Sequence, residues 1–149
     1  MGNIVYCKAK IIDSKKEYAV LTFGPLSVLP KYQNYGIGSK LINHTVKLSK
    51  EMGYKAIIIY GDPEYYKRFG FRQSKEYEIT NKDKKYPAPL LVFELYPSAL
   101  NGIKGVFDEG KNYEIDENEL IEFERGFNKK EKKITKTQER FNELVEMFL

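Results

Sequence analysis

Apolar and polar residues alternate along the first part of the chain. Along residues 3–12 one parity of positions is uniformly apolar, which predicts a strand with one buried face. A second β-rich run at residues 18–23 continues through Gly24 and Pro25 into the apolar residues 26–29. Because proline donates no backbone hydrogen bond, this junction indicates a bend or bulge. The pattern predicts a hairpin of two long antiparallel strands.

An amphipathic helix and a buried strand come next. Residues 37–52 carry apolar side chains at helical spacing, which predicts one buried helix face. That face consists of Ile37, Leu41, Leu48 and Met52. Residues 56–59 form a continuous apolar run, typical of a central strand covered on both faces. Strand, helix and strand in this order predict a βαβ unit, so residues 56–59 are expected to run parallel to residues 26–29.

The remainder of the chain divides into two parts. Two extended segments around a lysine-rich turn, at residues 72–80 and 90–96, predict a closing hairpin. An acid-rich stretch, a basic run and an amphipathic terminal helix follow. The sequence therefore predicts a mixed α/β fold, with one domain at residues 1–97 and a C-terminal helical extension at residues 98–149.

Composition narrows the class of protein. The chain of 149 residues, with 42% hydrophobic and 31% charged residues, fits one globular domain. No apolar run reaches the ~18 residues of a membrane span, and the first residues lack the apolar core of a signal peptide. The single Cys7 fits a reducing compartment, and a small buried side chain is favoured over a nucleophile because no base stands near it. A cytoplasmic protein without a membrane partner or metal site is expected.

The net charge of +4 and the pI near 8.9 favour an anionic ligand. They fall short of the dense basic stripe of a dedicated nucleic-acid binder. A basic run at residues 129–136 offers a nucleic-acid module as the weakest alternative, because aromatic residues are not interleaved with its lysines. No nucleic-acid partner is therefore expected.

The candidate chemistry lies where the second strand meets the helix. Residues 33–39 form a turn that enters the helix at Gly36 and Gly38. The first N–H groups of a helix have no intrahelical partner and carry partial positive charge, and glycine lets the backbone approach a phosphate closely. The spacing does not fit a Walker loop, and Leu41 replaces the third glycine of a dinucleotide fingerprint. The stretch predicts a pyrophosphate-binding turn.

Two motifs carry a family resemblance. The first reads Gln33-x-x-Gly36-x-Gly38, preceded by Leu26-x-Val28-x-Pro30. It resembles the acetyl-CoA motif Q/R-x-x-G-x-G/A of the GNAT superfamily of N-acetyltransferases. The second motif, residues 65–71, resembles the family signature F-Y-x-x-x-G-F, and the whole segment 61–71 looks like that of a bacterial subgroup whose substrates are mostly unassigned.

The resemblance covers residues 3–97 and implies a GNAT-like fold. Its central sheet is mixed and mostly antiparallel, with one splayed pair of parallel strands. The family begins with a further strand, two helices and a strand, so the chain looks N-terminally shortened. The strand at residues 3–12 is then expected to expose an open sheet edge, through which two copies could form a homodimer.

The resemblance implies acetyl-CoA as the acyl donor. In the family the pantetheine arm pairs with the motif strand like an added strand, and the amides of the turn hold the pyrophosphate. The implied cofactor-binding residues are Leu26, Ser27, Val28, Gln33, Asn34, Tyr35, Gly36, Ile37, Gly38 and Ser39. Lys31, Lys40 or Lys67 could reach the phosphates, and the sequence does not choose among them.

Tyr66 aligns with the family tyrosine that serves as general acid to the CoA sulfur. A phenol has an unperturbed pKa near 10, so it stays protonated at neutral pH. The alternative is an aromatic residue that packs on the sheet, as expected for the other aromatic residues of the motif. These are Tyr65, Phe69 and Phe71.

The general base is not visible in the sequence. The motif strand offers only Ser27, and Asp62 is better explained as the cap of a short helix. His44, the single histidine, is expected to be structural, because it lies about two turns from the glycine-rich turn.

The resemblance implies transfer of an acetyl group to an amine of unknown identity, in a small molecule or a protein. The alternative is a non-catalytic acyl-CoA-binding or interaction module with the same fold. A phenylalanine at position 66 distinguishes the two, because only an enzyme would lose rate.

Overall fold

The computed structural model describes residues 1–128, 131 and 133–149. The basic run at residues 129–136 lies partly outside them. The described strands are β1 (Gly2–Asp13), β2 (Lys16–Val28), β3 (Ala56–Tyr60), β4 (Arg72–Gln73), β5 (Ile79–Thr80), β6 (Leu90–Glu94) and β7 (Gly105–Asp108). The described helices are α1 (Ile37–Glu51), α2 (Pro63–Tyr66), α3 (Glu117–Glu124) and α4 (Lys136–Val145).

The strands form one mixed sheet in the order β4-β6-β3-β2-β1-β7-β5. β1 and β2 pair antiparallel along most of their length, so the predicted hairpin is confirmed. Their register shifts between Ile4 and Tyr6, opposite Gly24 and Pro25. This confirms the bulge that was predicted from the missing proline donor.

The predicted βαβ unit is also confirmed. β3 runs parallel to β2, and the two strands meet at Leu21 and Ile57. β6 pairs antiparallel with β3 along all five residues of β3, while the ladder between β2 and β3 does not continue. The parallel strands therefore separate towards their C-terminal ends, and residues 26–29 lie beyond the point where they meet.

Alternating side chains divide the core between the two faces of the sheet. One face carries Ala9, Ile11, Val20, Ile58 and Phe107. The other face packs against α1 and α2. It carries Leu21, Phe23, Ile57 and Ile59, which form one cluster with Ile42 of α1 and with Phe71. We refer to them below as the outer face and the helix face.

The predicted buried stripe of α1 is wrong by about one position. Ile42 and Ser49 are buried, whereas Leu48 and Met52 are 41% and 69% exposed. The hydroxyl groups of Thr45 and Ser49 donate to carbonyls of the preceding helical turn, so these small polar residues can face the sheet. A pattern that counts only large apolar residues misses such a stripe.

The C-terminal segment joins the same sheet. β7 pairs antiparallel with β1 at Lys10, Ile11 and Ile12, and thereby covers part of the edge that was expected to be open. α4 begins after Thr135, whose hydroxyl accepts from the Gln138 amide, and it packs on the sheet domain through residues near its end. The sheet thus continues past residue 97, while the division into two domains stays a prediction.

Candidate functional site

The turn between β2 and α1 forms a cradle of backbone N–H groups. Gly36 caps α1 in the left-handed region with φ of 74°, and no side chain caps the helix. Lys40 is the first residue of α1 whose amide reaches a carbonyl, that of Gly36 at 3.0 Å. Within the described residues, the amides of residues 34–39 donate to no backbone carbonyl. Their aligned donors suit an anion such as a pyrophosphate.

Gln33 fixes this cradle to the strand that precedes it. Its side-chain Nε2 donates to the Val28 carbonyl at 2.9 Å. The following residue, Asn34, adopts a left-handed φ of 64°, so the chain reverses before Gly36. The side chain of Gln33 thus positions the turn, and Tyr35 projects from it with 75% of its surface exposed.

The motif strand presents only some of its backbone groups to the gap beside β3. The Leu29 amide donates to the Met1 carbonyl, so these two residues form a hydrogen-bonded pair of the β1–β2 ladder. Such pairs recur at every second residue of an antiparallel ladder, so Ser27, opposite Asn3, forms the next one. Leu26 and Val28 alternate with these pairs and direct their N–H and C=O groups away from β1. These two residues offer the backbone edge on which an extended ligand could pair.

Gly38 is explained by packing within the protein. A Cβ on Gly38 would lie 3.2 Å from the Tyr65 hydroxyl and 4.0 Å from Leu26. A Cβ on Gly36 would meet nothing within 4 Å. Gly38 therefore lets α1 lie close to α2, whereas Gly36 provides the left-handed backbone and leaves the mouth of the cradle open.

The three candidate lysines differ in their surroundings. Lys67 pairs with Glu64 at 2.5 Å, and the ammonium of Lys31 lies 4.9 Å from the ring centre of Tyr32. Lys40 is exposed in the first turn of α1, next to the cradle. The geometry favours Lys40 for contact with an anion in the cradle.

Tyr66 lies on the helix face where β2 and β3 separate. Its ring packs at 5.9 Å from Phe23 and at 5.5 Å from Phe71, measured between ring centres. Burial, with smaller contributions from Tyr65 and Tyr6, raises the pKa of the Tyr66 hydroxyl to about 12. Tyr66 is therefore protonated at every pH at which the protein is expected to work.

The predicted packing of Tyr65, Phe69 and Phe71 is confirmed, because all three belong to the apolar cluster of the helix face. The Tyr6 hydroxyl lies 2.9 Å from the Thr45 hydroxyl and connects this cluster to α1. The site is thus a rigid aromatic wall on one side of the gap between the strands.

Asp62 is the N-cap of α2, as predicted. Its carboxylate accepts from the Glu64 amide at 2.9 Å and from the Arg140 guanidinium of α4 at 3.1 Å. The hydrogen bond from Arg140, together with the Glu64 amide, lowers the pKa of the Asp62 carboxyl. A carboxylate with a lowered pKa is a poor proton acceptor, so Asp62 has a structural role. Its ion pair with Arg140 connects α4 to α2, the helix that carries Tyr66.

We expect Arg140→Ala to destabilise the protein only slightly, because the ion pair is partly exposed. For a chain of this size the melting temperature should fall by no more than about 2–4 °C. Calorimetry on Arg140→Ala, with Lys136→Ala from the exposed first turn of α4 as control, measures the effect. Equal melting temperatures for both variants would mean that the ion pair does not secure α2.

Other candidate residues lie elsewhere. His44 is exposed on α1, and Cys7 is half-buried on β1. In the described part of the chain, no three His, Cys, Asp or Glu side chains converge as metal ligands, and no helix is both long and apolar enough to cross a membrane.

Sequence analysis missed three residues on the outer face of the gap. They are Tyr60, Glu109 and Tyr113. The Tyr113 hydroxyl donates to the Gly24 carbonyl at 3.3 Å, across 89 positions of sequence. The sequence offers one signal for this region. Residues 105–108 form a short β-rich run that starts at a glycine, and Glu109, a second glycine and Tyr113 follow it closely.

Comparison with known proteins shows which family the first half of the chain resembles. The family model for the acetyltransferase (GNAT) domain matches residues 2–73. The uncharacterized N-acetyltransferase YjhQ of Escherichia coli is 32% identical over 89 residues, 60% of this chain and 46% of YjhQ. Residues 2–73, just under half of the chain, are therefore similar to the GNAT acetyltransferase domain. A second GNAT relative, the uncharacterized N-acetyltransferase YhbS of Escherichia coli, is 29% identical over 60% of this chain and 53% of YhbS. The match spans about half the length of these curated relatives.

Two solved structures confirm the predicted GNAT fold. YhbS from Escherichia coli, in complex with CoA, matches 74% of this chain and 61% of its own with a TM-score of 0.68 and 24% identity. A GNAT family acetyltransferase from Brucella melitensis, in complex with acetyl-CoA, matches 74% of this chain and 58% of its own with a TM-score of 0.55 and 26% identity.

Proposed function

We propose that this protein transfers the acetyl group of acetyl-CoA to the nitrogen of an amine. The observation that carries the proposal is the cradle of free amides at residues 34–39, which opens beside the gap between β2 and β3. The two GNAT structures in complex with CoA and acetyl-CoA support it. An anionic pyrophosphate fits the cradle, because a helix N-terminus offers partial positive charge and Gly36 leaves its mouth open.

The cradle, Lys40 and the motif strand would each bind a different part of acetyl-CoA. The amides of the cradle and the ammonium of Lys40 would bind the phosphates, and the backbone groups of Leu26 and the Val28 amide, which point away from β1, would align the extended arm of the donor. Positioning of this kind replaces a bimolecular encounter and lowers the barrier. Bound acetyl-CoA supplies the activated thioester.

Tyr66 would complete the reaction as the proton donor. The amine nitrogen attacks the thioester carbon, the carbon–sulfur bond breaks, and the Tyr66 hydroxyl gives its proton to the leaving sulfur. The raised pKa of Tyr66 keeps the proton available. Apolar surroundings also raise the pKa of a thiol, so the leaving sulfur would be a stronger proton acceptor there than in water.

A thermal-shift titration tests donor binding. Acetyl-CoA at about 100 times its dissociation constant should stabilise the protein by about 2.7 kcal/mol, or roughly 5–10 °C. Gly36→Glu should abolish the shift, because a carboxylate at the mouth of the cradle repels the pyrophosphate.

Gly53→Glu is a matched control at the other end of α1. Gly53 has φ of 80° and, like Gly36, open space where a Cβ would lie. Both variants therefore carry the same kind of backbone strain, and only one changes the cradle. The proposal fails if acetyl-CoA does not shift the melting temperature of the unmodified protein, or if Gly53→Glu loses the shift as fully as Gly36→Glu.

A further inference from the structure

The gap between β2 and β3 has a second side, on the outer face of the sheet. The strands meet at Leu21 and Ile57, so Gly24 and Tyr60, three residues further along each strand, stand at the same level where the strands separate. Tyr66 covers this level on the helix face through its contact with Phe23. The groups on the outer face are therefore placed opposite Tyr66.

Glu109 lies over this outer side of the gap. Its carboxylate is close enough to both edges to influence their tyrosines. Burial raises the pKa of Tyr60 on β3 to about 12, and the charge of Glu109 adds to the shift. Burial raises the pKa of Tyr113 to about 12 as well, with contributions from Cys7 and Glu109, and the Tyr113 hydroxyl contacts Gly24 on β2. Glu109 and Tyr60 also line one and the same cavity.

A cavity of about 180 Å³ opens at the same place. It is lined by Tyr60, Asn81, Lys82, Asp83, Phe107 and Glu109. Two larger cavities lie away from the separated strand ends, lined by residues at the start of β3 and around residues 98–104. Of these three cavities in the described part of the chain, the one beside Tyr60 combines a position at the gap with a carboxylate.

The walls of this cavity suit an alkylammonium group. The rings of Tyr60 and Phe107 both line it, with their centres 6.2 Å apart, and aromatic rings attract cations. Lys82 reaches Asp108 at 3.5 Å, which leaves Glu109 and Asp83 as the acidic groups of the lining. The volume is below the roughly 300 Å³ at which sites for drug-sized ligands begin, so a slender aminoalkyl chain fits better than a large ring system.

The charges around Glu109 come from several elements. Lys82 and Asp83 face it from the turn before β6, Asp108 from β7, Tyr60 from β3, and Tyr113 from the following segment. Burial raises the pKa of the Glu109 carboxyl, with Asp108 adding to the shift and Lys82 opposing it. A carboxylate in such a place is a stronger base than an exposed one.

We propose that this cavity binds the acceptor, a primary alkylamine, and that Glu109 accepts the proton lost from its nitrogen. This inference rests on the proposed acetyl transfer. The group enters from the outer face as an ammonium and loses one proton to Glu109, directly or through one water, and Glu109 passes that proton to solvent. The neutral nitrogen then forms the bond to the thioester carbon and gives a second proton to Glu109. The carbon–sulfur bond breaks towards the helix face, where the Tyr66 hydroxyl protonates the sulfur. The ammonium thus loses two protons: one stays in solvent, and the other, exchanged through solvent from Glu109, restores the proton that Tyr66 gave to the thiol.

The variant Glu109→Gln tests the role of the carboxylate, with cadaverine as the acceptor probe. We expect kcat/KM for cadaverine to fall by about 100-fold, because general-base catalysis contributes about that much or more. The part of the pH dependence that reflects protonation of Glu109 should disappear, and only the steady decline from protonation of cadaverine itself should remain. The thermal shift with acetyl-CoA should stay as in the unmodified protein. Glu114→Gln, an exposed carboxylate five positions along the same segment, is the control and should leave kcat/KM unchanged.

A titration of cadaverine into the CoA-saturated protein, followed by amide chemical shifts in NMR, tests the cavity without turnover. Shifts at residues 81–83 and 107–109 that are lost in Tyr60→Ala support the assignment. Shifts elsewhere, no shifts, or an unchanged kcat/KM in Glu109→Gln overturn it. The absence of a thermal shift with acetyl-CoA would refute the acetyl transfer instead, so the two failures are distinguishable.

Discussion

Replacement of Tyr66 by phenylalanine is expected to lower kcat by about 100- to 10,000-fold, the usual contribution of a positioned acid. Phenylalanine keeps the ring contacts with Phe23 and Phe71 and removes only the hydroxyl. The melting temperature and the shift on addition of acetyl-CoA should therefore stay close to those of the unmodified protein. Thiol release from acetyl-CoA, followed with a chromogenic reagent in the presence of an amine panel, measures the rate.

The matched control for Tyr66→Phe is Tyr54→Phe. Tyr54 packs at the edge of the same apolar cluster but lies at the start of β3, away from the separated strand ends. Its hydroxyl should be dispensable for turnover. If Tyr66→Phe turned over as fast as the unmodified protein, Tyr66 would be a packing residue only. If acetyl-CoA bound and no amine were acetylated by the unmodified protein, a non-catalytic acyl-CoA-binding module would be the better description.

Sequence patterns predict those parts of the fold whose conformation depends on residues close together in the sequence. The hairpin follows from alternation in β1 and β2, and its bulge follows from Pro25, which has no amide proton to donate. The cradle follows from Gly36, because a left-handed cap with an open mouth requires glycine. The cap of α2 follows from Asp62 in the same way, since its carboxylate reaches the Glu64 amide two residues away.

Contacts between distant parts of the chain were not visible in the sequence. β7 is four residues long, and it pairs with β1 because Gly105, at φ of 136°, lets the two backbones approach closely. A Cβ on Gly105 would lie 2.8 Å from the carbonyl carbon of Ile12. That approach places Glu109 and Tyr113 on the outer face of the gap. Short strands without their own strong periodicity carry no local signal of their partner.

The site residues likewise fall into those placed by local motifs and those placed by contacts between distant segments. The cradle lies within the βαβ unit and Tyr66 lies on α2 directly after it, so their motif spacing is enough to place them. Glu109 depends on the pairing of β7, and the positioning of Tyr66 depends on Gly61 directly after β3, whose role becomes visible only when the ring is seen beside it.

Replacement of Gly61 by alanine is expected to lower kcat by about 100-fold, the cost of a misplacement of about 1 Å in a catalytic group. A Cβ on Gly61 would fall 2.6 Å from the Cδ2 atom of Tyr66, so the ring must leave its place against the end of β3. We expect the free energy of unfolding to fall by about 1–3 kcal/mol from the overpacking. Steady-state kinetics and denaturant unfolding measure the two effects.

The control is Gly126→Ala, where a Cβ meets the Phe123 carbonyl oxygen at an ordinary 3.5 Å. Its stability should change by no more than about 0.5 kcal/mol. The cause is tested by the double variant Gly61→Ala with Tyr66→Ala, in which the ring is absent. If the clash with the ring is responsible, the alanine at position 61 should cost no further stability there, because the two changes act on one contact. Additive losses would mean that the glycine is required for the backbone itself, and Tyr66 would then be positioned by its aromatic neighbours alone.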